Sequence, residues 1–525
     1  MNSSWIQESA ADASIRFSWD RLWKLFDGSE ASLNIAHECL DRHDPDAAAV
    51  RLQDGEGRLL EFTFGDLAAR TSRFAHWLVD HDVEANTPVG VMMEPSLEFY
   101  TALFGIIKRG AVAVPLYTLF GPDAVRDRVN DCGLDMVVTD RERASVVDAI
   151  GVKPSVFDDE LWKQLDDLPS SFASTTSARD RAVLQYTSGT TRGLPEAVTH
   201  DHRSVVTLAR AGLYALGLAE GDRYFCPSSP AWGHGLWHGT IAPWSFGIAL
   251  GTCAGRFDVN RLIDAVTSFS ITNLAAASTV YRMVVASGRA DELSLTKASY
   301  TGEELDATAQ IAFREQTGVP VCGMYGTTET GVVLVNFPGF ADHEPRIEAL
   351  GRPMPGCRLA VLDDDDRQVE PGVKGELAVW RRGRWFRSKD LAWTDEDGFF
   401  YYGGRADDVI ISAGWTISPL EVERALLKHE AVAEAAVIGV PDQTRGRALK
   451  AFVIARGIEM NERAALAEDL QALVKQDLSP HEYPRHIEFV ETLPELPNGK
   501  VNRRALNSGD TNTGPAGPSP ESGAS

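Results

Sequence analysis

Hydrophobic positions along the first third of the chain switch between two periods. Over Phe64–Asp80 the apolar residues Phe64, Leu67, Ala68, Phe74 and Leu78 fall on one side of a 3.6-residue repeat, which predicts an amphipathic helix. Pro88–Met93 and Ala111–Pro115 are short, continuously apolar runs bounded by polar turns, and they read as buried strands on either side of a helix over Pro95–Arg109. The alternation continues through Leu134–Thr139 and Ala182–Tyr186. Strands alternating with helices predict a parallel or mixed sheet covered by helices.

The pattern changes after about Gly351. Arg358–Leu362, Gly375–Trp380 and Phe399–Tyr402 are β-rich segments separated by turns at Glu370-Pro-Gly and Asp397-Gly, as in a small β-barrel or meander. The acidic run Asp363–Asp366 reads as a solvated hairpin tip rather than a metal site. Beyond Arg405 the order is helix Pro419–Leu427, strands Ala435–Gly439 and Ala451–Ile454, and helix Asn461–Asp477. The expected fold is therefore α/β: a large N-terminal domain of two αβ subdomains plus a small β-barrel, then a small mobile α+β C-terminal domain. Boundaries fall at 1–406, 407–506 and a disordered 507–525, since Ser508–Ser525 is rich in Gly, Pro, Ser and Thr.

Composition narrows the function. A net charge of −24 and a pI near 4.9 argue against nucleic acid as a partner and against docking on anionic lipid. The apolar stretch Tyr100–Tyr117 is interrupted by Lys108 and Arg109, short of a membrane span. The N-terminal residues lack a basic head and apolar stretch, so no secretory signal is expected. The 6 cysteines are scattered without a CxxC pair, as in free thiols of a reducing compartment. A soluble cytoplasmic protein without membrane insertion is expected.

Chemistry concentrates in a few loops. In Tyr186-Thr-Ser-Gly-Thr-Thr-Arg192 an apolar strand runs into hydroxyls and glycine, with a helix expected from about Asp201. Inward N–H groups and the side chains of Thr187, Ser188, Thr190 and Thr191 around Gly189 make a phosphate cradle. Tyr325-Gly-Thr-Thr-Glu329 follows the strand Val319–Met324 and offers an aromatic face with Gly326, the hydroxyls of Thr327 and Thr328, and Glu329, a hard oxygen ligand suited to Mg²⁺. Asp390 can accept from both ribose hydroxyls, Arg405 can reach ribose or phosphate, and Lys500 sits in a Pro-Asn-Gly-Lys turn.

These segments, in this order and across nearly the whole chain from Cys39–His43 to Leu506, resemble the adenylate-forming superfamily of acyl-CoA synthetases, peptide-synthetase adenylation domains and luciferases. The stretch Tyr483-Pro-Arg-His-Ile-Glu-Phe-Val490 before the Gly-Lys turn is similar to medium-chain and benzoate-type acyl-CoA synthetases. The resemblance implies that a carboxylic acid and ATP form an acyl-adenylate and pyrophosphate, and that the acyl group then passes to coenzyme A. It assigns Lys500, Glu329 and Thr328 to catalysis, with Mg²⁺ on Glu329. It places adenine between Tyr325 and the Gly302-Glu303-Glu304 segment, and sets the hinge of a domain rotation at Asp407. Ala413, Gly414 and Trp415 would line the pantetheine tunnel, and Arg445, Tyr483, Pro484 and Arg485 would meet CoA. A monomer or homodimer is expected. A stand-alone enzyme loading a carrier protein, or a degenerate nucleotide-binding protein without turnover, are the alternatives.

Several positions depart from the family pattern. The cradle carries an extra Arg192 and has Glu196 where a lysine is usual, so Arg192 is expected to supply the cation while Glu196 turns outward. Thr-Gly-Asp becomes Ser388-Lys389-Asp390, for which a changed loop backbone is expected; Ile411 and Thr416 also depart from the usual Lys and Arg. Gly326 matches a position where acetate-specific relatives carry Trp, which points to an acid larger than acetate: medium-chain, aromatic or alicyclic. Trp232, Trp237 and His238, in Ala231–Gly239, are the other acyl-pocket candidates, with core packing as the competing role for each aromatic. His202 and His481 are read as structural.

Overall fold

The computed structural model describes residues 9–186, 197–302, 305–327, 329–406, 410–412, 415–442, 446–457, 459, 462–478, 482–495 and 501–508, with backbone alone at 411, 415, 416, 446, 504 and 508. The chain forms two compact units, Met1–Cys357 and Arg358–Ser525. The predicted helix over Phe64–Asp80 is present with those bounds, opened by a capping box in which Thr63 and Asp66 exchange side-chain and backbone hydrogen bonds. The next helix is Leu97–Arg109; the Oγ of Ser96 accepts the Phe99 N–H, so the helix starts after Pro95 rather than at it.

In the first unit, one sheet runs in the order Pro154–Val156, Val137–Thr139, Pro88–Met92, Val112–Pro115, Arg181–Tyr186, Ala197–Asp201. All neighbours are parallel except the last pair, in which Tyr186 stands opposite Ala197. Alternate residues serve opposite faces. Val89, Val91, Ala113 and Val183 join the large core, while Met92, Val112, Val114 and Leu184 pack with Val125 and Val129 of the helix Pro122–Cys132. The second sheet of this unit runs Leu59–Thr63, Ala48–Gln53, Leu250–Cys253, Tyr224–Phe225, Asn273–Ala277, Lys297–Thr301, Val321–Thr327, Gly331–Val335, Ala349–Pro353. Its central strands are parallel, and Val50, Tyr224, Leu250 and Ala275 contribute to the same core as the first sheet.

Lys108, which breaks the apolar stretch in the sequence, is fully buried. Its ammonium meets Asp41 Oδ1 at 2.6 Å, Ser72 Oγ at 3.1 Å and the Ala68 carbonyl at 3.2 Å. Burying this cation is tolerable because all its donors find acceptors, one of them charged.

The second unit opens with a four-stranded antiparallel meander: Leu359–Leu362, Gly375–Arg381, Arg384–Thr394 and Phe400–Arg405. The acidic run forms the turn after its first strand, where Asp363 Oδ1 accepts the N–H groups of Asp365 and Arg367 at 2.9 Å each. Then follow the hairpin Ile410–Ser412 with Trp415–Ile417, the helix Pro419–Leu427 and the sheet Val432–Asp442, Gly446–Ala455, His486–Phe489. The helix Arg463–Asp477 buries Leu466, Leu470 and Val474 on Val437, Leu449 and Val453. The segment expected to be a disordered tail lies outside the described residues from 509 onward, as does the expected hinge Asp407.

Candidate active site

The strand Arg181–Tyr186 leads into the segment expected to form the phosphate cradle. Tyr186 is anchored there: its hydroxyl donates to Asp131 Oδ2 at 2.7 Å, and the Arg128 guanidinium lies 5.4 Å from its ring centre. Thr187, Ser188, Gly189, Thr190, Thr191, Arg192 and Glu196 lie outside the described residues. The helix expected from about Asp201 is preceded by a strand. Ala197–Asp201 pairs back on Arg181–Tyr186, and the helix begins at Ser204. The free edge of Arg181–Tyr186 offers backbone partners to Ala197–Asp201, so the sheet takes residues that sequence alone leaves to the loop. His202 follows this strand, fully buried, and its Nδ1 accepts the Ile35 N–H at 3.1 Å, which is a structural role.

Gln185, one residue before Tyr186, was not singled out in the sequence, yet it ties the cradle strand to the aromatic segment. Its side-chain oxygen accepts the Trp237 indole N–H at 2.8 Å and its amide donates to the Ala231 carbonyl at 3.3 Å. No motif marks it, because a glutamine inside an apolar strand acquires meaning only through what lies opposite. Trp237 belongs to the main hydrophobic core, so packing accounts for its burial. Trp232 is half-buried with its ring edge-on to Tyr117 at 5.4 Å, and His238 is half-buried on the π-helix His234–Ile241. π-Helical turns are rare and recur at functional sites. Burial pushes the His238 imidazole down to about 4 and His234 down to about 3, so both are neutral near pH 7. His234 Nδ1 is held by Ser228 Oγ at 3.0 Å.

Tyr325, Gly326 and Thr327 end the strand Val321–Thr327, which turns back into Gly331–Val335. The turn is tied internally. Thr330 Oγ1 accepts the Thr327 N–H at 3.1 Å, and Glu329 is exposed at its tip. The register slips between Tyr325 and Gly326, and this bulge brings the facing backbone very close. A Cβ on Gly326 would lie 2.1 Å from the Gly331 carbonyl oxygen and 2.7 Å from Val332 Cα. Glycine at 326 is therefore demanded by the hairpin itself, and its presence is not by itself a measure of acyl-pocket size. Gly302 follows the strand Lys297–Thr301 with φ +99°, a left-handed backbone suited to glycine. Glu303, Glu304 and Thr328 lie outside the described residues.

In the second unit Asp390 and Arg405 come together as cross-strand partners, with the Arg405 Nη1 3.2 Å from Asp390 Oδ1. Tyr402, which no motif indicated, donates its hydroxyl to the same oxygen at 3.5 Å. Asp390 is buried at 5% exposure, and its backbone N–H is held by Ser388 Oγ at 3.1 Å, so the carboxylate is fixed before any ligand arrives. Within Ser388–Asp390, where a changed loop backbone is expected, Lys389 has φ +62°, a left-handed conformation that glycine adopts more readily. Among the CoA candidates, Tyr483 has the Arg485 guanidinium 3.9 Å and the Lys475 ammonium 4.0 Å from its ring centre, a local positive patch. Gln471 holds the Pro484 carbonyl at 3.1 Å. Ala413, Gly414, Arg445, His481 and Lys500 lie outside the described residues, as does the side chain of Trp415.

The AMP-binding enzyme profile matches residues 38–384, and the profile of the AMP-binding enzyme C-terminal domain matches 421–500. The chain belongs to the AMP-binding enzyme family. This AMP-binding enzyme is 32% identical to the acetyl-coenzyme A synthetase of Bacillus subtilis (strain 168) over 95% of its own length and 96% of the relative's. Among solved structures it is similar to the Brucella canis acyl-CoA synthetase, at 30% identity, TM-score 0.74, and coverage of 96% and 99% of the two chains. It is also similar to a benzoate CoA ligase from Burkholderia xenovorans LB400, at 26% identity, TM-score 0.78, and coverage of 91% and 100%. The family and the α/β architecture expected from the loops are thus those of the chain. No helix among the described residues is long and apolar enough to cross a membrane.

Proposed function

We propose that this AMP-binding enzyme is an ATP-dependent acyl-CoA ligase. It joins a carboxylic acid to ATP, releasing pyrophosphate, and then transfers the acyl group from acyl-AMP to the thiol of CoA. The observation that supports this most is the Asp390 site, set within a chain similar to CoA ligases from end to end. A buried carboxylate, oriented by Arg405 and Tyr402, suits the paired hydroxyls of a ribose. Tyr325 offers the adenine a face, and Gly302 lets the neighbouring backbone approach the ring.

Thr328 and Lys500 would bind the α-phosphate region and hold the acid carboxylate in line for attack. Positioned donors of this kind contribute on the order of 3–4 kcal/mol each to such a transition state. Glu329, exposed at a tied hairpin tip, has the oxygen chemistry to hold Mg²⁺, which would offset charge on the phosphates. Asp407 would be the pivot that withdraws Lys500 after adenylation, dividing a domain over 1–406 from one over 407–506. Arg445, Tyr483, Pro484 and Arg485 would then take the CoA nucleotide while Ala413, Gly414 and Trp415 border its pantetheine arm. An acid larger than acetate is supported by the likeness to a benzoate CoA ligase rather than by Gly326, with Trp232 and His238 as the half-buried wall candidates. Free thiols at all 6 cysteines suit a cytoplasmic setting.

The test is acid-dependent pyrophosphate release followed by CoA thioester formation across acids of graded length and ring type. Activity with CoA on a medium-chain, aromatic or alicyclic acid is expected. Exclusive use of acetate would overturn the pocket reading, and acid-dependent pyrophosphate release without any thioester would overturn CoA as acceptor.

A further inference from the structure

Lys389 stands beside the ribose carboxylate in a backbone conformation that a lysine does not favour. Its φ is +62°, in the left-handed region where a Cβ crowds the following carbonyl and glycine escapes the penalty. Two backbone bonds hold it there. Its N–H donates to Glu376 Oε1 at 2.8 Å, and its carbonyl accepts the Ala406 N–H at 2.8 Å. The loop needs only this backbone. Ser388 supplies the side-chain ties, donating from Oγ to the Leu377 carbonyl at 2.8 Å and accepting the Asp390 N–H. A glycine at 389 would keep every one of these bonds.

The ammonium, by contrast, is uncommitted. Lys389 is exposed and forms no ion pair among the described residues. The carboxylate nearest in the hydrogen-bond pattern, Glu376, is already matched by Arg387, whose Nη1 lies 2.9 Å from Glu376 Oε2. Arg387 is further engaged by Asp366 at 2.8 Å. A strained residue whose backbone is over-determined and whose charge is spare, one position from a fixed ligand-binding group, is typical of a ligand clamp.

We propose that Lys389 is a phosphate-binding residue of the ATP site, meeting a phosphate of the nucleotide whose ribose Asp390 holds. The inference rests on the nucleotide reading given above. A lysine is a flexible point charge suited to phosphate without a fixed fork geometry.

The experiment compares Lys389→Gly, Lys389→Arg and Asp390→Ala in the full chain. Lys389→Gly is expected to raise Tm, because left-handed strain is relieved, and to raise the KM for ATP about tenfold, the loss of one charge-assisted contact. The kcat at saturating ATP and the KM for CoA should not change, and Lys389→Arg should restore most of the ATP affinity. An unchanged KM for ATP in Lys389→Gly would overturn the proposal, and so would a rise confined to CoA. Asp390→Ala separates the two levels. If it weakens ATP binding while Lys389→Gly does not, only the lysine assignment fails; if it leaves ATP binding intact, the ribose reading fails with it.

Discussion

Substituting Gly326 would test whether the acyl preference is written at this position or whether the hairpin merely forbids any other residue. A Cβ at 326 meets the Gly331 oxygen at 2.1 Å and the Gly331 carbonyl carbon at 2.6 Å. Both are backbone atoms of the adjacent strand, so no side-chain rotation can relieve the clash. The strands must part at the bulge, costing hydrogen bonds between Val321–Thr327 and Gly331–Val335. Overpacking of this kind costs typically about 1–3 kcal/mol, and each lost ladder bond adds about 1 kcal/mol. Gly326→Ala should therefore lower Tm by several degrees, and Gly326→Trp by at least as much. Because the displaced hairpin carries Tyr325 and Glu329, pyrophosphate release should fall with every acid to a similar degree. Thermal denaturation and pyrophosphate release with acetate, a medium-chain acid and a benzoate-type acid make the measurement. A Gly326→Trp enzyme with unchanged Tm and a clean switch to acetate would refute this reasoning. It would show that the bulge relaxes and that glycine is there for the substrate.

Trp237→Phe removes the indole N–H and strands the Gln185 oxygen in the core, which should cost about 1–3 kcal/mol in chemical denaturation while sparing the KM for ATP. His202 is buried and its imidazole is held down at about 4, against 6.5 when free. The unfolded chain therefore takes up the proton first, and stability present above pH 6.5 is lost as the pH falls towards 4. His202→Asn, which keeps an acceptor for the Ile35 N–H, should flatten the Tm-against-pH curve across that window. Lys500→Ala should abolish acyl-AMP formation yet spare thioester formation from supplied acyl-AMP and CoA; equal loss of both half-reactions would remove the support for a rotating C-terminal domain.

Local pattern alone determined a great deal of this protein. Phe64–Asp80 and Pro419–Leu427 were legible to the residue because each carries its own start signal, a capping Thr63 in one case and a first-turn proline in the other. The loops around Tyr325, Asp390 and Lys500 pointed to nucleotide activation because they juxtapose hydroxyls, carboxylates and glycines along a short stretch of chain. What escaped the sequence depends on residues meeting across strands. The strand Ala197–Asp201 exists because Arg181–Tyr186 offers it an edge. Gln185 matters because Trp237 faces it, Tyr402 because it reaches Asp390, and Gly326 because a bulge presses Gly331 against it. Register is a non-local quantity, set by the whole sheet. Residue chemistry can be read from the order of letters, but which oxygen a donor finds, and how little room a glycine has, are decided only when the strands pair.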